Sequence, residues 1–324
     1  YTTLFRSQII SVTSAPQSGY STRKMNAGLI RNRGVELSLG GMPVSTKNWK
    51  WEMNFNIAKN SNKLVELADG VDSYSIYWTS FTTRLYNYAM VGKSLGVITG
   101  NTWERDDNGN IIFHELSASQ KALYGGEYVP TYNQNTLDEL GNFHPDFTGG
   151  FNTSISFKNF RLSANIDFSV GGQIVSYTNM WGSSSGILDK TAELNDRGVN
   201  VREPVSKGGG IHMTGVDQDG NKVDTYVNAK LYYTTASRVW EEWVYDRTYV
   251  KLREVSLSYV FPSQTLKKLN IGLSRASVAI NASNPWLIYS ACPNVDVSEI
   301  GMVYFEGGNA AATRSIGFTV NLAF

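Results

Sequence analysis

Thr313-Arg314-Ser315-Ile316-Gly317-Phe318-Thr319-Val320-Asn321-Leu322-Ala323-Phe324 closes the chain and decides how the rest is read. Ile316, Phe318, Val320, Leu322 and Phe324 form an apolar row, with Ser315, Gly317, Thr319, Asn321 and Ala323 as a small or polar row between them. Successive side chains of a strand point to opposite faces, so the stretch predicts one strand with a greasy face and a wet face. A strand ending on a bare aromatic is expected of a membrane β-barrel, where the outer face meets lipid and the last ring sits in the interfacial girdle. Phe318, Val320, Leu322 and Phe324 are therefore read as a membrane-assembly signal.

Other segments repeat the pattern. Crossing an apolar band about 25 Å tall at a tilt of about 40° takes roughly 10 residues at about 3.3 Å each. Trp49, Trp51, Met53, Phe55 and Ile57 alternate with Lys50, Glu52, Asn54, Asn56 and Ala58. Phe147, Phe151, Ile155 and Phe157 share a row opposite Asn152, Ser154 and Ser156. Phe160, Leu162, Ala164, Ile166, Phe168 and Val170 alternate with Arg161, Ser163, Asn165, Asp167 and Ser169. Weaker strands are predicted over 1–12, 30–41, 84–91, 95–103, 247–261 and 271–289, giving about ten in all, an even number.

The predicted links alternate in length. Short ones fall near 42–48, 92–94, 158–159 and 262–270, and long ones near 13–29, 58–83, 104–146, 171–246 and 290–312. Short periplasmic turns and long outer loops are the habit of bacterial outer-membrane barrels. A soluble two-layer sandwich also alternates apolar and polar residues, but a link as long as 171–246 is unusual in a compact soluble domain.

Composition agrees. Charged residues are 18% of the 324, below the roughly 25% of soluble domains. A net charge of +1 with no basic block gives no support for nucleic-acid binding. Apolar runs such as Trp286–Tyr289 fall far short of the roughly 18 residues of a spanning helix, which excludes a helical membrane protein, whereas barrel strands need only alternation. Cys292 is the single cysteine and His114, His144 and His212 are scattered, so no disulfide, metal or cofactor is expected. No signal peptide is visible and Tyr1 opens in mid-strand. Residues 1–324 are accordingly read as the carboxyl-terminal part of something longer.

Charges on the apolar rows test the topology. Arg314 lies far enough up the last strand to reach the outer interface and snorkel. Lys251 and Arg253 share a row with Val255, Leu257, Tyr259 and Phe261. Either both lie near the outer interface, or a bulge shifts the phase between Leu252 and Val255.

Several patterns together resemble the SusC/RagA family of TonB-dependent outer-membrane transporters from Bacteroidetes. They are Asn26-Ala27-Gly28 with Asn32-Arg33-Gly34-Val35-Glu36-Leu37, Trp49 through Asn56 with Lys59-Asn60, and Val91-Gly92-Lys93-Ser94-Leu95-Gly96. Pro145-Asp146-Phe147-Thr148-Gly149-Gly150 and Tyr249-Val250-Lys251-Leu252-Arg253-Glu254-Val255-Ser256-Leu257-Ser258-Tyr259 complete the set. The chain departs where the family often has Asp-Pro-Glu after Tyr289, reading Asn294-Val295-Asp296-Val297-Ser298-Glu299 instead. The resemblance implies an all-β transmembrane antiparallel barrel of about 22 strands filled by a plug, with the plug and TonB-contacting segment absent from this chain. It further implies TonB-driven import of oligosaccharide or peptide at the bacterial outer membrane, with a SusD-like surface lipoprotein as lid.

Candidate contacts follow. Arg161, Asn165 and Asp167, with Glu52 and Asn54, would face the lumen, where solvating the wall or anchoring the plug is their plainer role. Trp181, Trp240 and Trp243 lie in the long loop 171–246, itself a candidate for lid docking. Trp181 is a possible cargo or lid contact, and Trp240 and Trp243 are assigned to the outer aromatic girdle. Asp217-Gln218-Asp219-Gly220-Asn221 lacks the twelfth-position Glu of a calcium loop and is read as a hairpin turn, as is Asp106-Asp107-Asn108-Gly109-Asn110. Glu241 and Glu242 would point apart on a strand, and no serine sits in a nucleophile elbow, so no catalysis is expected. The alternatives are a passive porin or adhesin built on a barrel, and a soluble β-rich binding module.

Overall fold

The computed structural model describes residues 2–5, 9–13, 22–26, 28–67, 70–79, 84–135, 137–269, 271–300, 304–307 and 312–324. Eight strands hydrogen-bond in chain order into one antiparallel sheet: β1 (Thr2–Phe5), β2 (Leu29–Ser45), β3 (Trp49–Glu66), β4 (Phe147–Phe157), β5 (Phe160–Val170), β6 (Tyr249–Val260), β7 (Arg275–Ser290) and β8 (Ser315–Ala323). Among the described residues β1 and β8 are its two edges, with no pairing between them.

Register explains the two faces. Val44, Trp51, Ile155, Leu162, Leu257, Ile280 and Phe318 stand opposite one another in turn, an apolar rung crossing seven strands from β2 to β8. Phe318 on this rung is 68% exposed. An apolar face open across seven strands is far larger than the few hundred Å² that soluble monomers leave bare, so this is the face a bilayer covers. The opposite face carries Gly40, Asn54, Asn152, Asn165, Glu254, Ser283 and Ser315 in the same manner.

The short links 46–48, 158–159 and 261–274 gather at one end of this meander. There Trp49, Phe157, Phe160 and Tyr259 align across four strands. Ring centroids are 4.4 Å apart for Trp49–Phe157 and 4.7 Å for Phe160–Tyr259. Aromatic rings at the edge of an apolar band are what a membrane interface selects. Towards the other end of β4, Gly149 stands opposite Phe168 of β5 and leaves room for its ring. A Cβ there would meet the Asn56 carbonyl and approach the Phe168 ring to 2.5 Å.

The long links fold into a body at the other end. The β3–β4 link supplies a four-stranded sheet of Ser73–Thr79, Leu85–Met90, Val97–Gly100 and Asp138–Asn142. The β5–β6 link supplies helices Tyr177–Ser184 and Ala229–Ala236 and the hairpin Ile211–Val216/Lys222–Val227. One core joins all three links: Leu85, Ile98 and Trp103 from the first, Met180, Trp240 and Trp243 from the second, and Tyr304 from the third.

Five expectations are corrected here. Among the described residues the sheet has eight strands rather than about ten. Segments 84–91 and 95–103 do form strands, but of six and four residues, too short to span. Their Leu85, Val97 and Ile98 are buried in the loop body rather than turned to lipid. The 92–94 turn therefore belongs to the long-loop end. Trp240 and Trp243 are 0% and 1% exposed in that core, so the girdle at this end is left to Trp286 and Tyr289, both exposed. The predicted strand 1–12 pairs in two stretches, Thr2–Phe5 with Ile30–Arg33 and Ile9–Thr13 with Thr22–Asn26.

Gly149→Ala should weaken the parent barrel by about 1–3 kcal/mol through overpacking. The readout is a lower urea midpoint for loss of the heat-modifiable gel band; an unshifted midpoint would mean that Phe168 can move aside freely.

Candidate functional site

The polar face is organised in rungs one residue pair apart. Nearest the short-turn end, Glu52 accepts from Lys50 at 2.6 Å and from Arg161 at 3.4 Å, and the Ser154 hydroxyl donates to it at 3.2 Å. These groups satisfy one another. On the next rung, Asn54, Asn152, Asn165 and Glu254 are exposed and make no side-chain hydrogen bond or ion pair among the described residues. They line a concavity whose floor includes Ser154, Ser163 and Arg161.

Above it the sheet is bulged. Asn165 faces Glu254 and Ile166 faces Leu252, so Arg253 has no partner residue across the ladder. Of the two explanations offered for Lys251 and Arg253, the bulge holds, and it turns both cations to the polar face. Lys251 is 1% exposed, and its Nζ donates to Asp296 Oδ2 at 2.7 Å, Glu299 Oε1 at 2.5 Å and Ser298 Oγ at 3.1 Å. Arg253 bridges Asp167 (2.9 Å) and Glu299 (2.5 Å), and the Tyr249 hydroxyl donates to Asp167 at 3.2 Å.

Asn294–Glu299, the stretch that departs from the familiar pattern, thus acts as a strap. It supplies the two carboxylates that neutralise a lysine buried on the wall. Burial works to raise the Asp296 carboxyl, but hydrogen bonds from Lys251 and Ser298 outweigh it and hold the group below its usual range. Glu299 is lowered chiefly by its hydrogen bond from Lys251, with Arg253 adding to the effect. The strap is also stitched to the loop body. Buried Asn179 donates to the Pro293 carbonyl at 2.8 Å and accepts from Asn294 at 2.9 Å. Cys292 lies beside it, its thiol pushed up to about 12 by burial, which suits packing rather than reactivity.

No protein-family profile matches the chain. TonB-dependent receptor P3 of Formosa agariphila is 27% identical over 287 residues, spanning 86% of this chain but 26% of that receptor. TonB-dependent receptor SusC of Bacteroides thetaiotaomicron is 38% identical over 157 residues, 46% of this chain and 15% of that protein. The RagAB peptide importer in its closed-closed state aligns over 100% of this chain and 33% of the solved chain, with a TM-score of 0.68 at 18% identity. Its open-open state gives 0.68 at 16% identity over the same 100%. The fold is therefore shared along the whole chain, and the sequence likeness falls on TonB-dependent receptors. The chain resembles part of the SusC/RagA-like TonB-dependent receptors. It spans about a quarter of the length of the relatives it matches most fully.

On this SusC/RagA-like wall, Arg161, Asn165 and Asp167 share the polar face but stand on three different rungs. Arg161 and Asp167 are held in ion pairs, and Asn165 is not. Trp181 is far from them in the fold, on helix Tyr177–Ser184 of the loop body, and 42% exposed. Glu241 and Glu242 lie in a 3-10 turn rather than a strand, and both reach Trp103: its backbone N–H donates to Glu241 at 2.9 Å and its indole to Glu242 at 2.6 Å. Asp217 and Asp106 each cap a turn by accepting from the backbone N–H four residues on, at 2.8 Å in both, as hairpin turns require. Sequence reasoning missed Glu254 and the strap. The available signal was two cations on a greasy strand facing two carboxylates three residues apart.

Lys251→Met should loosen the strap, because removing the shared cation leaves Asp296 facing the polar wall without one and Glu299 with Arg253 alone. Amide exchange over 291–300 is expected to accelerate while the wall stays protected. The pH dependence follows from the lowered carboxyls. The strap's stabilisation is full above the ordinary carboxylate values of 3.8 and 4.5 and is lost as pH falls through the lower folded values. A protection factor, corrected for the intrinsic rise of exchange with pH, that instead fell between pH 5 and 8 would contradict this assignment.

Proposed function

We propose that this chain forms part of the wall and outer loop surface of a bacterial outer-membrane importer that takes up oligosaccharides or peptides. Import is driven through TonB, by contacts made outside these residues, and a SusD-like surface lipoprotein closes the outer mouth. The observation that carries the reading is the seven-strand rung pair, apolar on one face and polar on the other, on a fold shared along its whole length with the RagAB peptide importer. Such a wall separates lipid from a wet lumen. The remainder of the barrel pairs with the open edges of β1 and β8, since an unpaired edge in lipid leaves backbone groups unsatisfied. Phe318, Val320, Leu322 and Phe324 serve as the terminal assembly signal on that closing strand. The role is transport, with no reacting residue.

Energy coupling separates this reading from a passive pore. In cells carrying the parent protein, dissipating the inner-membrane proton gradient should abolish accumulation of cargo; uptake that persisted at the same rate would identify a porin.

Lid docking is assigned to the 171–246 loop. Removing that loop whole would strip Trp240 and Trp243 from the shared core, so point changes test it better. Ile187 and Leu194, 78% and 67% exposed, present apolar surface on it. Ile187→Asp with Leu194→Asp should cut co-purification of the lipoprotein at least several-fold while the heat-modifiable band survives. Full recovery would remove the loop from the docking surface.

A further inference from the structure

One rung of the polar face keeps its hydrogen-bonding capacity unspent among the described residues. Below it, Glu52 is engaged by Lys50, Ser154 and Arg161. Above it, Asp167 and Lys251 are engaged by Arg253 and the strap. Between them, Asn54, Asn152, Asn165 and Glu254 stand opposite one another on β3, β4, β5 and β6, all exposed, with no side-chain partner among the described residues. They line the concavity of the polar face. Three primary amides, each able to donate and accept, and one carboxylate form a row, not a scatter of wall residues.

We propose that this rung is a cargo-binding track in the lumen, taking an extended peptide by its backbone amides and a lysine or arginine side chain at Glu254. The inference rests on the import reading above and adds a site and a charge preference to it. Geometry fits this occupant. Strands lie about 4.8 Å apart, so the rung runs about 14 Å, the length of roughly four residues of extended chain. Side-chain amides pair with backbone amides as donor and acceptor together, and a carboxylate accepts from ammonium or guanidinium in the stronger charge-assisted bond. Charge argues the same way. Glu52 is neutralised by Lys50 and Arg161 one rung away, whereas Glu254 has no cation among the described residues and is complementary to one brought by the ligand. The strap closes the wall immediately above, so a chain crossing the rung lies beneath it.

The test uses the intact parent transporter in detergent, with two matched tetrapeptide probes, one carrying lysine and the other norleucine at the same position. The wild type should bind the lysine peptide about tenfold more tightly, a difference of about 1.4 kcal/mol. Glu254→Gln should bring that ratio close to one, and Asn152→Ala with Asn165→Ala should weaken both peptides several-fold while keeping the ratio. Heat-modifiable migration of each variant confirms the barrel is formed. Four outcomes overturn the proposal. An unchanged ratio in Glu254→Gln removes the charge contact. An equal fall for both peptides in Glu254→Gln means that a fixed segment of the parent protein, not cargo, occupies the rung. A wild type that imports oligosaccharide and binds neither peptide overturns the track while leaving import intact; one that accumulates no cargo under a proton gradient overturns import as well.

Discussion

Period-two alternation against two solvents is the constraint from which the rest follows. With lipid on one side and water on the other, a slip of one residue would exchange every side chain on a strand between them, so register is specified strongly. The rung from Val44 to Phe318 stays in phase across seven strands because each neighbour imposes the same requirement. The one exception on β6 is instructive. Without the bulge at Arg253, Lys251 and Val255 would share a face, and either the cation would meet lipid or the valine would meet water. One extra residue resolves the conflict and keeps Leu252 and Val255 both on the apolar side, opposite Ile166 and Ala164.

The bulge has a second consequence. It brings two cations to the polar face at one place, and Lys251 there is almost wholly buried. A buried ammonium is tolerable only when paired and hydrogen-bonded. Asp296, Ser298 and Glu299 meet that need, which is why the third loop folds onto the wall rather than standing away from it. Because Asn179 and Asn294 join that loop to the second, and Trp103, Trp240 and Tyr304 join all three in one core, the loop body is seated on the wall through this ionic contact.

How much of this was legible in the sequence depended on distance along the chain. β3, β4, β5 and β8 were legible because their alternation is long and each carries its own evidence. The side-chain phase of Asn165 and Asp167 came with it. Residues 85–90 and 97–100 alternate or run apolar just as well, but what they face was hidden. They pack against Trp240, Met180 and Tyr304, residues at least 80 positions later in the chain, and no local period reports that. Trp240 and Trp243 were misplaced for the same reason: nearness to β6 suggested a girdle, and a 3-10 turn carries them into the core instead. The strap was invisible because Lys251 and its carboxylates are 45 and 48 residues apart.

Burial separates the polar groups that hold this fold from those free to act. Lys251 and Asn179 are buried, and an unpaired polar group at either place would cost the fold the full desolvation of that group, so both are saturated with partners. Asn54, Asn152, Asn165 and Glu254 are exposed on the polar face, where solvent access makes the absence of a side-chain partner among the described residues cheap for the fold. A ligand that displaces solvent there must return the lost hydrogen bonds. A row of amides ending in a carboxylate asks for amide groups ending in a cation, and it rejects an apolar or anionic chain by the same desolvation that makes Lys251 need its strap.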